Sequence, residues 1–179
     1  MALTLIKEDG TGRADANAYA DAADGDAYHD GHLYATAWTG AGAGQKDAAL
    51  VMASRLIDGQ FQFDGAKASE GQALQWPRAG CHDPDADGWN GGTVADNTVP
   101  KAVIEATCEM ARELLIVDRT TAPAGEGLKY YNDGSVQTGY DKGDKRPIIT
   151  PVAQALLLKF GSLLKSKKRC GATGAGVKR

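Results

Sequence analysis

Apolar and polar positions change rhythm several times along this chain, and each change marks a predicted element. Ala18, Ala22 and Ala27, with Tyr19 and Tyr28, form a small-residue face over about 17–29. They predict a helix with Asn17 as its N-cap, weakened internally by Gly25. Ala41-Gly42-Ala43-Gly44 reads as a flexible link. In the next helix, about 45–60, Ala49, Met52, Ala53, Leu56 and Ile57 share a face. Lys46, Asp47, Arg55 and Asp58 fall mostly elsewhere, and Phe61 and Phe63 continue as an extended exit. A short helical stretch near 69–74 ends at Trp76-Pro77, because the residue before proline resists the helical conformation.

Residues 80–98 are rich in Gly, Asp and Asn and read as a loop. Pro100 then opens the best-patterned helix, since proline fits a first turn. Val103, Thr107, Met110, Ala111 and Leu114 make its inner face, Ile104, Cys108 and Leu115 widen it, and Glu105, Glu109 and Glu113 point outward. The run Leu128 to Tyr140, centred on Asn132-Asp133-Gly134, predicts a β-hairpin, because Asp-Gly suits a tight turn with positive φ. Thr150-Pro151 caps a last helix to about Leu164, with Val152, Leu156, Phe160 and Leu163 along one stripe. The expected fold is mainly α: a helical bundle of about four helices with an inserted β-hairpin (about 126–141) and extended N- and C-terminal arms.

Charge changes this picture at the C-terminal end. The net charge is -3, yet residues 1–100 carry 6 Lys/Arg against 15 Asp/Glu, and residues 101–179 carry 14 against 8. Nine basic residues and no acidic one follow Asp144. An acidic body with a basic tail predicts an arm that meets an acidic protein surface or a nucleic acid. The organisation expected is a domain over 1–164 and a basic, flexible arm over 165–179. No run approaches the roughly 18 apolar residues of a membrane span, and Met1 to Ile6 is too short for a signal peptide, so a cytosolic origin is expected. Cys81, Cys108 and Cys170 have no CxxC spacing and read as free thiols, Cys108 as a core residue.

Candidate chemistry is sparse. Asp83 to Gly88 matches the first half of a calcium loop, but Val94 stands where the bidentate Glu belongs. His29 and His32 read as solvent-facing histidines at a helix end. Gly10 and Gly12 begin a dinucleotide fingerprint that Asp15 interrupts. Cys81-His82-Asp83 are adjacent in sequence, which rarely gives triad geometry. Aromatic residues are only 7% of the chain, leaving few stacking platforms for single-stranded nucleic acid. No cofactor or metal is expected.

Four stretches in register carry a resemblance over roughly residues 5–118. They are Glu8-Asp9-Gly10-Thr11-Gly12 with Ala16-Asn17-Ala18-Tyr19; Asp26-Ala27-Tyr28-His29; Lys46 to Leu50 continuing to Leu56-Ile57-Asp58; and Gln72 to Gly80 with Val99-Pro100. Together they resemble a family of tailed-bacteriophage head–tail connector (adaptor, neck) proteins, often labelled DnaT-like single-stranded DNA-binding proteins. Phe63-Asp64-Gly65 stands where the family uses Trp-x-Gly, and the loop over 83–92 is longer than usual.

The resemblance implies a structural virion protein, not an enzyme. It would form a homo-oligomeric, dodecameric ring beneath the portal protein, extend the channel for double-stranded DNA, and offer a platform to a downstream neck or tail protein. It implies residence in the virion neck after assembly in the host cytoplasm, with no membrane contact. The motif positions are Asp9, Gly10, Gly12, Asn17, Tyr19, Tyr28, Trp76, Pro77, Arg78 and Pro100. Trp76 and Pro77 also read simply as fold determinants, while Arg78 is open, free to meet a neighbour or a carboxylate. In the arm, Lys165, Lys167, Lys168, Arg169, Val177, Lys178 and Arg179 are the candidates for portal or DNA contact, against the alternative of a merely solvated tail. The alternative function is a single-stranded DNA-binding replication accessory, which the basic tail alone supports. A small hydrolase has no constellation behind it.

Overall fold

The computed structural model of the chain describes residues 3–86, 91–123, 130–134, 136–139 and 146–164. Among these residues the protein is mostly helical with small antiparallel strand pairs. The helices are α1 (Ala22–Asp30), α2 (Thr36–Thr39), α3 (Ala43–Gln60), α4 (Lys101–Ile116) and α5 (Pro151–Leu157). Two-residue strands β2 (Ala66–Lys67) with β3 (Arg78–Ala79), and β4 (His82–Asp83) with β5 (Gly92–Thr93), shape the connection between α3 and α4. The predicted hairpin forms as β6 (Tyr130–Asp133) and β7 (Val136–Gly139), with Asp133 opposite Val136 at its tip. Strand β1 (Phe61–Phe63) pairs with β8 (Gly161–Leu163), with Phe61 opposite Leu163 and α4 and α5 lying between them in sequence.

Helix α4 is the hub. It packs on α3, α5, α1 and α2, because its sequence is apolar around most of its circumference. Val103, Ala106, Thr107, Cys108, Met110 and Ala111 are all buried. One apolar cluster lies between α4, α5 and the β1–β8 pair and includes Tyr19, Ile57, Trp76 and Phe160. A second lies between α4, α3 and α2 around Leu50, Trp38 and Met110. Two clusters joined through one helix differ from a four-helix bundle with a single seam.

Several boundaries differ from expectation for identifiable reasons. Asn17 is not an N-cap; its side chain bridges backbone, accepting from Ile6 N at 2.8 Å and donating to Thr4 O at 2.9 Å. The first helix starts four residues later, where Asp21 and Asp24 form a reciprocal capping box. Residues 69–74 form turns instead of a helix, organised by the buried Gln72 side chain. The last helix stops at Leu157, followed by a 3-10 turn (Leu158–Phe160), because β8 pairs with β1 and Leu164 N donates to Gln60 O at 2.9 Å. Its inner face is Ala153, Leu157 and Phe160, and Val152 is exposed.

Candidate functional site

The motif positions converge on the structure's interior. Glu8, only 2% exposed, is the centre of the first group. Its carboxylate accepts the backbone N–H groups of Gly10 (3.0 Å), Gly12 (2.9 Å) and Arg13 (2.9 Å). Gly10 (φ 97) and Gly12 (φ 73) supply the backbone turn that aims those donors inward. A Cβ on Gly10 would lie 2.1 Å from Asn97 O, so this loop also seats the segment that leads into α4. Asp9 closes the outside of the turn by accepting from Thr11 N and Oγ1. Pro100 follows as the residue capping α4.

The second group joins three distant segments. Tyr19 is fully buried; its hydroxyl donates to the Asp58 carboxylate and accepts from Gln75 N (3.0 Å) and Trp76 N (3.2 Å). The other Asp58 oxygen accepts from Gln75 N at 3.0 Å. Burial pushes the Asp58 carboxyl up from 3.8 to about 6, outweighing these donors, and holds the Tyr19 phenol well above its ordinary value. Trp76, joined to Pro77 by a cis peptide bond, packs edge-on against Phe63 and Phe160.

Arg78, which sequence left open, turns inward and is 4% exposed. Its guanidinium donates to the carbonyls of Asp64 (2.6 Å), Gly65 (2.6 Å), Phe63 (3.2 Å) and Gln75 (3.1 Å), and to Gln75 Oε1 (3.1 Å). It therefore ties the bend after β1 to the Trp76 loop. The position that sequence left open is thus filled by neutral acceptors, four backbone carbonyls and one side-chain amide oxygen.

The third group is aromatic. His29, expected at the surface, is 2% exposed; Nε2 lies 3.1 Å from Cys108 O and its ring faces Trp38. Burial pulls its imidazole below the ordinary value. Gly25 is required here, since a Cβ would lie 2.2 Å from Trp38 Cζ2. Trp38 Nε1 donates to Asp26 at 2.8 Å, and Lys46 pairs with the same carboxylate at 2.6 Å while lying over the indole. Tyr28 is half-buried and lines a cleft of about 460 Å³ between α1 and α4, with Asp24, Lys101 and Glu105. Glu109, expected on the outer face, is buried and held by Arg112 at 2.7 Å.

Cys81 is buried with its thiol pushed up by desolvation, while His82 is exposed, so the adjacent Cys-His-Asp run is not a triad. Among the described residues no group of three His, Cys, Asp or Glu side chains could hold a metal ion, and no helix is long and apolar enough to cross a membrane. The arm candidates Lys165, Lys167, Lys168, Arg169, Val177, Lys178 and Arg179 lie outside the described residues. Sequence reasoning missed Glu8, Asp58 and Gln72 as organising residues. The available signal for Glu8 was its position two and four residues before Gly10 and Gly12.

A family model described as "Putative DnaT-like ssDNA binding protein" matches residues 3–175, and the chain belongs to that family. No curated protein and no solved structure matches it.

Proposed function

We propose that this chain is a structural virion protein: a head–tail connector that forms a ring beneath the portal, extends the DNA channel and carries the next neck or tail protein. The supporting observation is the inward turn of the motif residues. Tyr19, Trp76, Arg78 and the Glu8 loop are consumed in building a rigid body, so what the family motif specifies is a shape. The described surface also lacks the pattern that single-stranded DNA requires. Among aromatic side chains described, Trp38, Trp76, Phe61, Phe63 and Phe160 are buried and Tyr34 alone is largely exposed. The cleft beside α4 is lined by Asp83, Asp85 and Glu105 against Lys101 and Lys159, and Lys159 is already paired with Asp85 at 2.6 Å. Lys101 is likewise paired with Glu105 at 3.2 Å, so this wall offers phosphate no unpaired cation.

The second reading is a single-stranded DNA-binding replication accessory, favoured by the family's description. Two measurements separate the readings. Electron microscopy of purified particles should place the protein between head and tail. Fluorescence anisotropy with a labelled oligonucleotide at physiological salt should show weak, sequence-independent binding. Nanomolar affinity lost on mutating body residues would favour the accessory role instead.

A further inference from the structure

Leu33 is 91% exposed and Tyr34 76% exposed, at the tip of the α1–α2 connection. This tip is held in shape. His32 N donates to His29 O at 3.0 Å, Tyr34 N donates to His32 Nδ1 at 3.0 Å, and Ala35 just beyond is buried. Two apolar side chains are thus presented to solvent on a fixed loop. Elsewhere, the edge of the apolar face of α3 stays open: Ala48, Met52 and Leu56 recur at helical spacing above a buried Val51 and, with Leu3, line a groove of about 420 Å³, Leu56 reaching from the core to its rim. Its lining is predominantly apolar, with Arg55 the one charged residue in it.

Knob and groove do not meet within the chain, because neither Leu33 nor Tyr34 lines the groove. Charge matches as well. Asp30, at the end of α1 beside the knob, and Arg55, beside the groove, are both exposed and make no ion pair with any described residue. We infer that the Leu33–Tyr34 knob of one copy docks in the α3 groove of a second copy of this chain, with Asp30 facing Arg55. A knob and a groove used once each per copy make a head-to-tail contact, the kind that closes rings. The inference rests on the connector reading and names the surface through which neighbours meet. The contact is small beside the roughly 1,200 Å² of a stable interface, so alone it is weak and is strengthened by a template.

The test uses the full chain with Tyr34 replaced by photoreactive p-benzoylphenylalanine. Unlabelled and nitrogen-15-labelled copies are mixed at up to about 1 mM, a concentration that captures contacts weaker than micromolar. Cross-links of mixed isotope to Leu3 or residues 48–56 are expected. Asp30→Arg and Arg55→Asp should each reduce cross-linking about tenfold, and the two together should restore it. Cross-links only within one copy, cross-links landing elsewhere, none at any concentration, or no rescue by the double swap each overturn the inference. So does occupation of the groove by the chain's own residues 1–2, read with the probe at Met52. Protein found in the neck yet cross-linking through another face leaves the connector reading standing and removes this one. Cross-linking as inferred by a protein absent from particles does the reverse.

Discussion

A guanidinium buried with only neutral acceptors around it depends on fork geometry more than on charge. Arg78 spreads its N–H groups over carbonyls from residues 63, 64, 65 and 75, a reach that a lysine ammonium cannot reproduce. Arg78→Lys should therefore lower unfolding free energy by about 3 kcal/mol, measured by urea titration, because several buried carbonyls lose their donors together. If Arg78 served a neighbour instead, stability would barely move. Asp58 gives a second prediction, with a defined direction in pH. Its folded-state pKa is about 6 against an ordinary 3.8, so the folded protein holds this proton more tightly than the unfolded chain. Stability from this group is full below the unfolded value and is lost as pH rises through about 6, amounting to about 3 kcal/mol. Asp58→Asn cannot titrate. Between pH 4 and pH 7 the parent should therefore lose stability relative to the variant, and a constant difference would count against it. Trp76 and Pro77 were legible in sequence as anchors because bulk and a stiff backbone have few surface uses. Asp58 was not, since helical periodicity placed it off the inner face, and the segment that buries it comes from residues 75–76.

At the level of elements, periodicity identified α3 and α4 because tertiary contacts follow their apolar faces. It misjudged α5, where Val152 belonged to the predicted stripe but is exposed. The competing influence was the pairing of β1 with β8, two segments about a hundred residues apart that no local window connects. Gly25 shows the same limit. Read locally it weakens α1, and an alanine there should favour the helix by about 1 kcal/mol. In the structure a methyl group would press into the Trp38 ring, which is rigid and buried. Gly25→Ala should accordingly destabilise the protein by about 2 kcal/mol, the range of overpacked cores, with the α1–α2 region losing hydrogen-exchange protection first. A stabilised variant would mean that the indole can move aside at no cost.

At the level of the whole molecule, three chain crossings coincide. Pro123, where the chain leaves for the hairpin, Arg146, where it returns, and Leu164, after which the basic arm begins, line one cleft of about 480 Å³. The described residues that flank the hairpin and precede the arm therefore meet at one end of the body. That coincidence was invisible in sequence, where the two segments are separated by α5, whereas the arm's charge was plain. Lys165, Lys167, Lys168, Arg169, Lys178 and Arg179 occur there without a single Asp or Glu. Under the proposed function, an acidic groove on the portal, or a sheet edge accepting Gly176-Val177-Lys178 as an added strand, supplies the complementary contacts. Cations at a screened interface together contribute several kcal/mol only when the partner is acidic and close, so docking should weaken steeply with salt. Deleting residues 170–179 should leave helical circular dichroism and thermal unfolding of the body unchanged while portal binding fails and filled heads lose DNA. Neutralising the four basic residues over 165–169 in the full-length chain tests charge separately from strand addition. If the first variant fails and the second docks normally, the added strand carries the contact. If both complete infectious particles at the parental rate, docking belongs to the body, and the apolar end around Ile116, Val117 and Leu164 is the surface to mutate next.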